Sequence, residues 1–296
     1  MSDHIVKNKE LTLKINSLGA ELVAITDTNS NTDYLWNGDP TFWKRHSPVL
    51  FPIVGSLNNQ TYMYNGREYH LPQHGFARDT EFTVVSETDS EIWFRIQANE
   101  ETLKVYPFLF TLEIGYRLMG RSIDVMWKVS NNGDSKMYFS IGAHPAFMLP
   151  LYNNHDQKDY YIVFDHTNPV RYLTINENGL AVMKPMEAQS VLATENGFLK
   201  YDPHIFDQDA LIIEHDQYHA VSLADPDKKP YVTLRFDAPL FGLWTPSGKN
   251  APFVCIEPWY GRCDSSNSNG RLEDKDWIND LDAGKVFEAS YTIDIG

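Results

Sequence analysis

The stretch IDVMWKVSNNGDSKMYFSI, residues 123–141, carries apolar residues at alternate positions on both sides of an Asn-Gly pair. A period of two is the signature of a half-buried strand. Asn-Gly tolerates the positive φ angles of tight hairpin turns. Two antiparallel strands joined at Asn132-Gly133 are therefore expected. The pattern recurs outward from there. TYMY and REYHL flank Asn65-Gly66, and further Asn-Gly pairs stand at 37–38, 178–179, 196–197 and 269–270. LTLKI (11–15), EIWFRIQ (91–97) and YVTLRF (231–236) alternate too, and KVFEASYTIDI (285–295) reads as a closing strand. Apolar runs with helical period are scarce. Only short helices are expected, near 40–44 and within 275–281. The chain reads as all-β, with antiparallel strands in packed sheets or a distorted barrel. Residues 150–210 are the least regular and read as a long insertion. With no interior linker and no internal repeat, a single domain spanning 1–296 is expected.

Composition narrows the partners. A chain of 296 residues, 42% hydrophobic, can bury a large core. The formal net charge of -15 disfavours nonspecific binding to nucleic acid or to anionic membranes. No basic block offsets it, and no apolar run approaches membrane-spanning length. Residues 1–14 lack the apolar core of a secretory signal. Cys255 and Cys263 make no disulfide framework. A reduced, cytoplasmic setting is the economical expectation. Nothing in the sequence points to an oligomeric state.

Three segments carry candidate chemistry. In IGAHPAF (141–147) a histidine follows an apolar strand and precedes a proline. If 137–144 is extended, Met137, Phe139, Ile141 and Ala143 face the core. Tyr138, Ser140, Gly142 and His144 then face the other side. Gly142 would leave room for a ligand beside His144. The bland reading is a packed strand-end histidine. LPQHGFARD (71–79) places His74 before a glycine and Arg78 before an aspartate. Arg78 can fork onto a carboxylate or a sugar hydroxyl, or simply pair with Asp79 at the surface. In APFVCIEPWYG (251–261), Val254 and Ile256 face one way and Phe253, Cys255 and Glu257 the other. A carboxylate there is costly unless paired or solvated, and partial burial raises its pKa towards that of a useful base. Trp259 or Trp244 offers an apolar platform for a pyranose.

Other chemistries find less support. His70/His74 and His215/His219 have tempting spacings, but both fall in strand or loop, where i,i+4 residues do not converge as on a helix. No metal site is expected. Dinucleotide, Walker A and G-x-S-x-G motifs are absent. A pair of glycosidase carboxylates is not selected by any local pattern.

Taken with PVLFPIVGSL (48–57) and FGLWTP (241–246), these segments, in this order, resemble the aldose 1-epimerase, or galactose mutarotase-like, superfamily, and most closely its LacX-type branch. The resemblance runs nearly full length. It implies a large antiparallel β-sandwich, the galactose mutarotase-like supersandwich, and a small-molecule aldose as partner. It further implies that Glu257 is the general base at the anomeric hydroxyl, His144 the general acid at the ring oxygen, and His74 an orienting group. Asp209, with Asp207 as the nearby rival, would accept hydrogen bonds from sugar hydroxyls, and Arg78 would donate at the rim. No cofactor is implied. Where characterised galactose mutarotases carry an arginine, VGSLNN (54–59) has Ser56 and asparagines, which weakens galactose more than it weakens aldose. A hexose-6-phosphate 1-epimerase would need converging arginines. A noncatalytic carbohydrate-binding domain would keep the tryptophans but separate His144 from Glu257.

Overall fold

Strand Ser122–Asn131 pairs on both edges in the computed structural model, which describes residues 2–152 and 154–296. Val125 lies opposite Tyr116 of strand Phe110–Met119 on one side and Tyr291 of strand Val286–Ile295 on the other. Ile123, Val125, Trp127 and Val129 are buried, as the alternation requires. Its tight turn is Gly120-Arg121, between the paired Met119 and Ser122. Asn132-Gly133 makes no hairpin. Strand Met137–Phe139 pairs instead with Asn279–Leu281. The buried Asn131 gives the reason. Its side-chain amide donates to the carbonyls of Ser135 (2.7 Å) and Leu281 (2.8 Å), and its Oδ1 accepts from Gly133 N–H. These bonds turn the chain out of one sheet and into the next. By contrast, Asn65-Gly66 closes its hairpin as read, at φ 48° and 73°, with Tyr64 opposite Arg67.

Nine strands form the larger sheet, in the order Phe198–Lys200, Tyr161–Phe164, Ala220–Ala224, Pro230–Phe236, Val286–Ile295, Ser122–Asn131, Phe110–Met119, Glu91–Gln97 and Thr83–Glu87. Six more form a second sheet around Phe253–Tyr260, which pairs with Leu240–Trp244, Ile141–Ala143 and Ala146–Met148. All pairings in both sheets are antiparallel. One continuous core joins Leu112, Ile114, Val125 and Trp127 of the first sheet to Ile141, Val254 and Ile256 of the second. The architecture is a large antiparallel β-sandwich.

Four further local expectations fail. Residues 40–44 form a turn rather than a helix, and 275–281 hold strand Asn279–Leu281 after a 3-10 turn at Leu272–Asp274. The six-residue helix Glu100–Val105 is capped by Asn99 in a capping box with Thr102, and is too short to show an apolar period. Part of 150–210 is not an insertion, because Tyr161–Phe164 and Phe198–Lys200 extend the larger sheet. No helix among the described residues is long and apolar enough to cross a membrane.

Candidate active site

Strand Phe253–Tyr260 sorts its side chains by parity. Val254 and Ile256 enter the sandwich core, while Phe253, Cys255, Glu257 and Trp259 face the opposite way, under a cover of loops. Register puts Glu257 opposite Gly242 and Trp259 opposite Gly142. A Cβ at 242 would stand 2.4 Å from the Trp259 ring, and one at 142 would stand 2.6 Å from it. Both glycines are therefore needed for the indole to lie across the sheet. This corrects the reading of Gly142: its space is filled by Trp259, not left open beside His144.

The continuous strand expected over 137–144 breaks at Ser140, whose N–H donates to the Pro52 carbonyl (2.7 Å). His144 follows the second piece, Ile141–Ala143, and points to the same side as Glu257. Its Nδ1 lies 3.4 Å from Glu257 Oε1. The ring stacks on Trp43 (centroids 4.8 Å apart) and meets the edges of Trp244 (5.2 Å) and His74 (5.7 Å).

His74 sits in a turn in which Gly75 N–H donates to the Pro72 carbonyl, with φ 67° at His74 and 69° at Gly75. Left-handed backbone costs a histidine roughly 1–2 kcal/mol, so tertiary contacts hold it there. A Cβ at 75 would come 2.3 Å from the Phe51 carbonyl oxygen, so only glycine lets the turn press so closely. Gly55 N–H donates to His74 Nδ1 (3.0 Å). In the neutral ring the proton must then be on Nε2, which makes that nitrogen a hydrogen-bond donor.

His74, Arg78, His144, Asp209, Trp244, Glu257 and Trp259 all line one cavity of about 270 Å³. That is near the lower end of the roughly 300–1,000 Å³ usual for ligand pockets and suits a small molecule. Asp209, at φ 72°, is exposed at the mouth, and its Oδ1 accepts from Ala210 N–H. Asp207 does not line this cavity and instead meets His204 Nδ1 at 3.2 Å. Arg78 donates to the Gln73 carbonyl (2.7 Å), and its Nε is buried without a hydrogen-bond partner. Asp79 lies 3.7 Å from Arg78 and is also held by Arg45 at 2.9 Å. Beyond Asp209 and Trp244 the cavity opens into a shallower groove bearing Glu177, Asp207 and Lys249.

Sequence reasoning missed Trp43, which falls in the segment 40–44 read as a short helix. It also missed the cavity wall of Val54, Ile175 and Cys263. Behind that wall, Lys275 and Asp264 form a buried ion pair at 2.8 Å, and Asp264 also accepts the Asn58 N–H. No local pattern marks these residues, because the fold gathers them from distant segments.

Burial governs the electrostatics. It pushes the Glu257 carboxyl well above its ordinary value, and the Asp209 charge adds to the shift. Burial, reinforced by Arg78, pushes His144 down to about 3. His74 is driven well below its ordinary value by burial, then by His144 and Arg78. The base and acid roles implied by the resemblance need an ionised Glu257 near a protonated His144. Here desolvation outweighs their attraction, and the neutral acid beside the neutral imidazole is favoured. Both forms hold the same single proton, so the pair titrates as a unit.

The chain as a whole resembles known proteins. The aldose 1-epimerase family model matches residues 4–271. Protein LacX of Lactococcus lactis subsp. lactis, in its plasmid form, is 31% identical, covering 98% of each chain. A galactose mutarotase related enzyme from Lactobacillus acidophilus superposes with a TM-score of 0.93 at 34% identity, over 100% of this chain and 97% of that one. A galactose mutarotase-like protein from Lactobacillus casei gives 0.90 at 29% identity, with 100% of both chains covered. The chain belongs to the aldose 1-epimerase family, in its LacX branch, and shares that family's general epimerase or mutarotase role.

Proposed function

We propose that this family member interconverts the α and β anomers of a free aldohexose by acid–base ring opening and closure. The observation that carries the reading is the approach of Glu257 and His144 to 3.4 Å on one side of the sheet, in a cavity that Trp259 also lines. Glu257, ionised, takes the proton from the anomeric hydroxyl. His144, protonated, delivers one to the ring oxygen as the C1–O5 bond breaks. The open-chain aldehyde then faces Glu257 as the acid and His144 as the neutral imidazole. That is the protonation state burial favours, so the dry site lowers the cost of the open-chain intermediate. Rotation about C1–C2 presents the other carbonyl face, and the same protons return in reverse. His74, with its proton on Nε2, donates to the ring oxygen region. Protons pass only between the sugar and the Glu257/His144 pair, so the scheme calls for no cofactor.

Convergence of the acid and base supports catalysis over carbohydrate binding alone. A free sugar fits better than a 6-phosphate. Among the described residues Arg78 is the single arginine lining the cavity, its guanidinium already donates to Gln73, and Glu177 and Asp207 face the outer groove. Strands drawn from residues 83 to 295 interleave in one sheet, which supports reading the chain as a single working domain.

The deciding experiment uses freshly dissolved pure anomers of glucose, galactose and their 6-phosphates, followed by polarimetry or proton NMR with the spontaneous rate subtracted. Acceleration of a free hexose is expected. No acceleration of any sugar would refute the reading, and acceleration of phosphates alone would replace it with the 6-phosphate reaction. D209N tests the rim. Asp209 faces the cavity, so loss of its charge should raise KM for the preferred sugar about tenfold, the scale of one charged hydrogen bond. Unaltered steady-state kinetics would remove Asp209 from substrate binding.

A further inference from the structure

Neither Glu257 Oε1 nor His144 Nδ1 has a hydrogen-bond partner, although both side chains are at least nine-tenths buried. Each is aimed at the other, and the Cys255 thiol, one parity step back along the strand, completes a triangle. The Cys255, His144 and Glu257 donor atoms all lie within 4.8 Å of one another, and all three residues are buried. We propose that these three side chains form a Zn²⁺ site, and that filling it shuts off the sugar chemistry.

Geometry and charge both favour this metal. Zinc bonds of about 2.0–2.3 Å in a tetrahedron put ligand atoms roughly 3.3–3.8 Å apart. The His144–Glu257 separation of 3.4 Å already falls in that range, and a side-chain adjustment of about 1 Å brings the widest pair into it. One sulfur, one nitrogen and one oxygen suit zinc, whereas Mg²⁺ and Ca²⁺ require oxygen cages. A thiolate, a carboxylate and a neutral imidazole around a dication sum to zero net charge, the arrangement a dry interior tolerates best. On binding, the Cys255 thiol gives its proton to solvent. So does Glu257 wherever it starts as the acid. The sulfur, oxygen and nitrogen lone pairs then form the three bonds to the metal. A fourth position, on the cavity side, is left for water. Neither the i,i+4 histidine pairs nor cysteine spacing announces this site. Cys255 and Glu257 are two residues apart on a strand, and His144 arrives from the neighbouring segment.

The metal site stands on its own geometry, while the inhibition rests on the anomerase reading. The test uses the full-length chain, stripped with a chelator. Titration with Cd²⁺, a spectroscopic stand-in for Zn²⁺, should give the ultraviolet thiolate-to-Cd²⁺ band, saturating at one metal per chain. C255S and C255A should each abolish the band, and C263S, which removes the other thiol, should keep it. Zn²⁺ should slow anomerisation in competition with sugar. C255S should keep its basal rate within about twofold and weaken Zn²⁺ inhibition at least about tenfold. A band lost in C263S but kept in the Cys255 variants would overturn the site, and so would the absence of any band. Equal Zn²⁺ inhibition of wild type and C255S would overturn the link to the sugar chemistry. A band at Cys255 in a protein that turns over no sugar would keep the metal site and refute the anomerase reading alone.

Discussion

E257Q is expected to lower kcat/KM for anomerisation by about 10²–10⁴-fold, or roughly 3–5 kcal/mol of transition-state stabilisation, while leaving the fold intact. The amide matches the carboxyl in shape but cannot take the proton from the anomeric hydroxyl. Stability should hold or rise. Burial already disfavours the Glu257 charge, and the amide removes that penalty without leaving a cavity. The residual rate carries a further signature. With the base gone, turnover depends on protonated His144, whose pKa is held down to about 3. The E257Q rate should therefore climb as pH falls from about 7 towards about 4, approaching the His144 pKa from above. Polarimetry across that range, beside a thermal melt, reads both effects. A folded E257Q protein with near wild-type rates would take the base role away from Glu257.

How much of this was legible beforehand depends on the range of each interaction. Strands such as Glu91–Gln97 and Ser122–Asn131 show in the sequence because alternation is a local pattern that burial enforces residue by residue. Asn132-Gly133 misled because its outcome turns on Asn131, which bonds to Leu281, 150 residues away. The chemical side chains His74, His144 and Glu257 could be named from their segments and a family resemblance, but their distances could not. Those depend on cross-strand register, on Gly142 and Gly242 accepting the Trp259 ring, and on Gly55 reaching His74. Trp43 had no readable role, since only the fold stacks it on His144. Electrostatics were read least well. Sequence suggests that opposite charges attract, but only the packed site shows that desolvation outweighs the attraction.

H144N should cost about as much as E257Q, roughly 10²–10⁴-fold in kcat/KM, because a side chain that cannot deliver a proton leaves the ring oxygen to depart as an alkoxide. Replacing the imidazole with an amide gives up the ring stack on Trp43 and the edge contact with Trp244, so some stability is lost too, and a melt separates the two effects. The pH dependence isolates the chemistry. Once the acid is removed, the remaining rate follows ionised Glu257, whose pKa burial raises. The H144N rate should therefore climb as pH rises, opposite in sign to E257Q. Two residues that merely shaped the pocket would not give opposite slopes. In the proposed scheme one member removes a proton from the sugar while the other delivers one, so removing either already disables the coupled transfer. The E257Q/H144N double variant should then be about as slow as the slower single variant rather than slower by the product of the two losses. Multiplicative losses, or slopes of the same sign, would show that Glu257 and His144 act independently and would break the shared-proton mechanism.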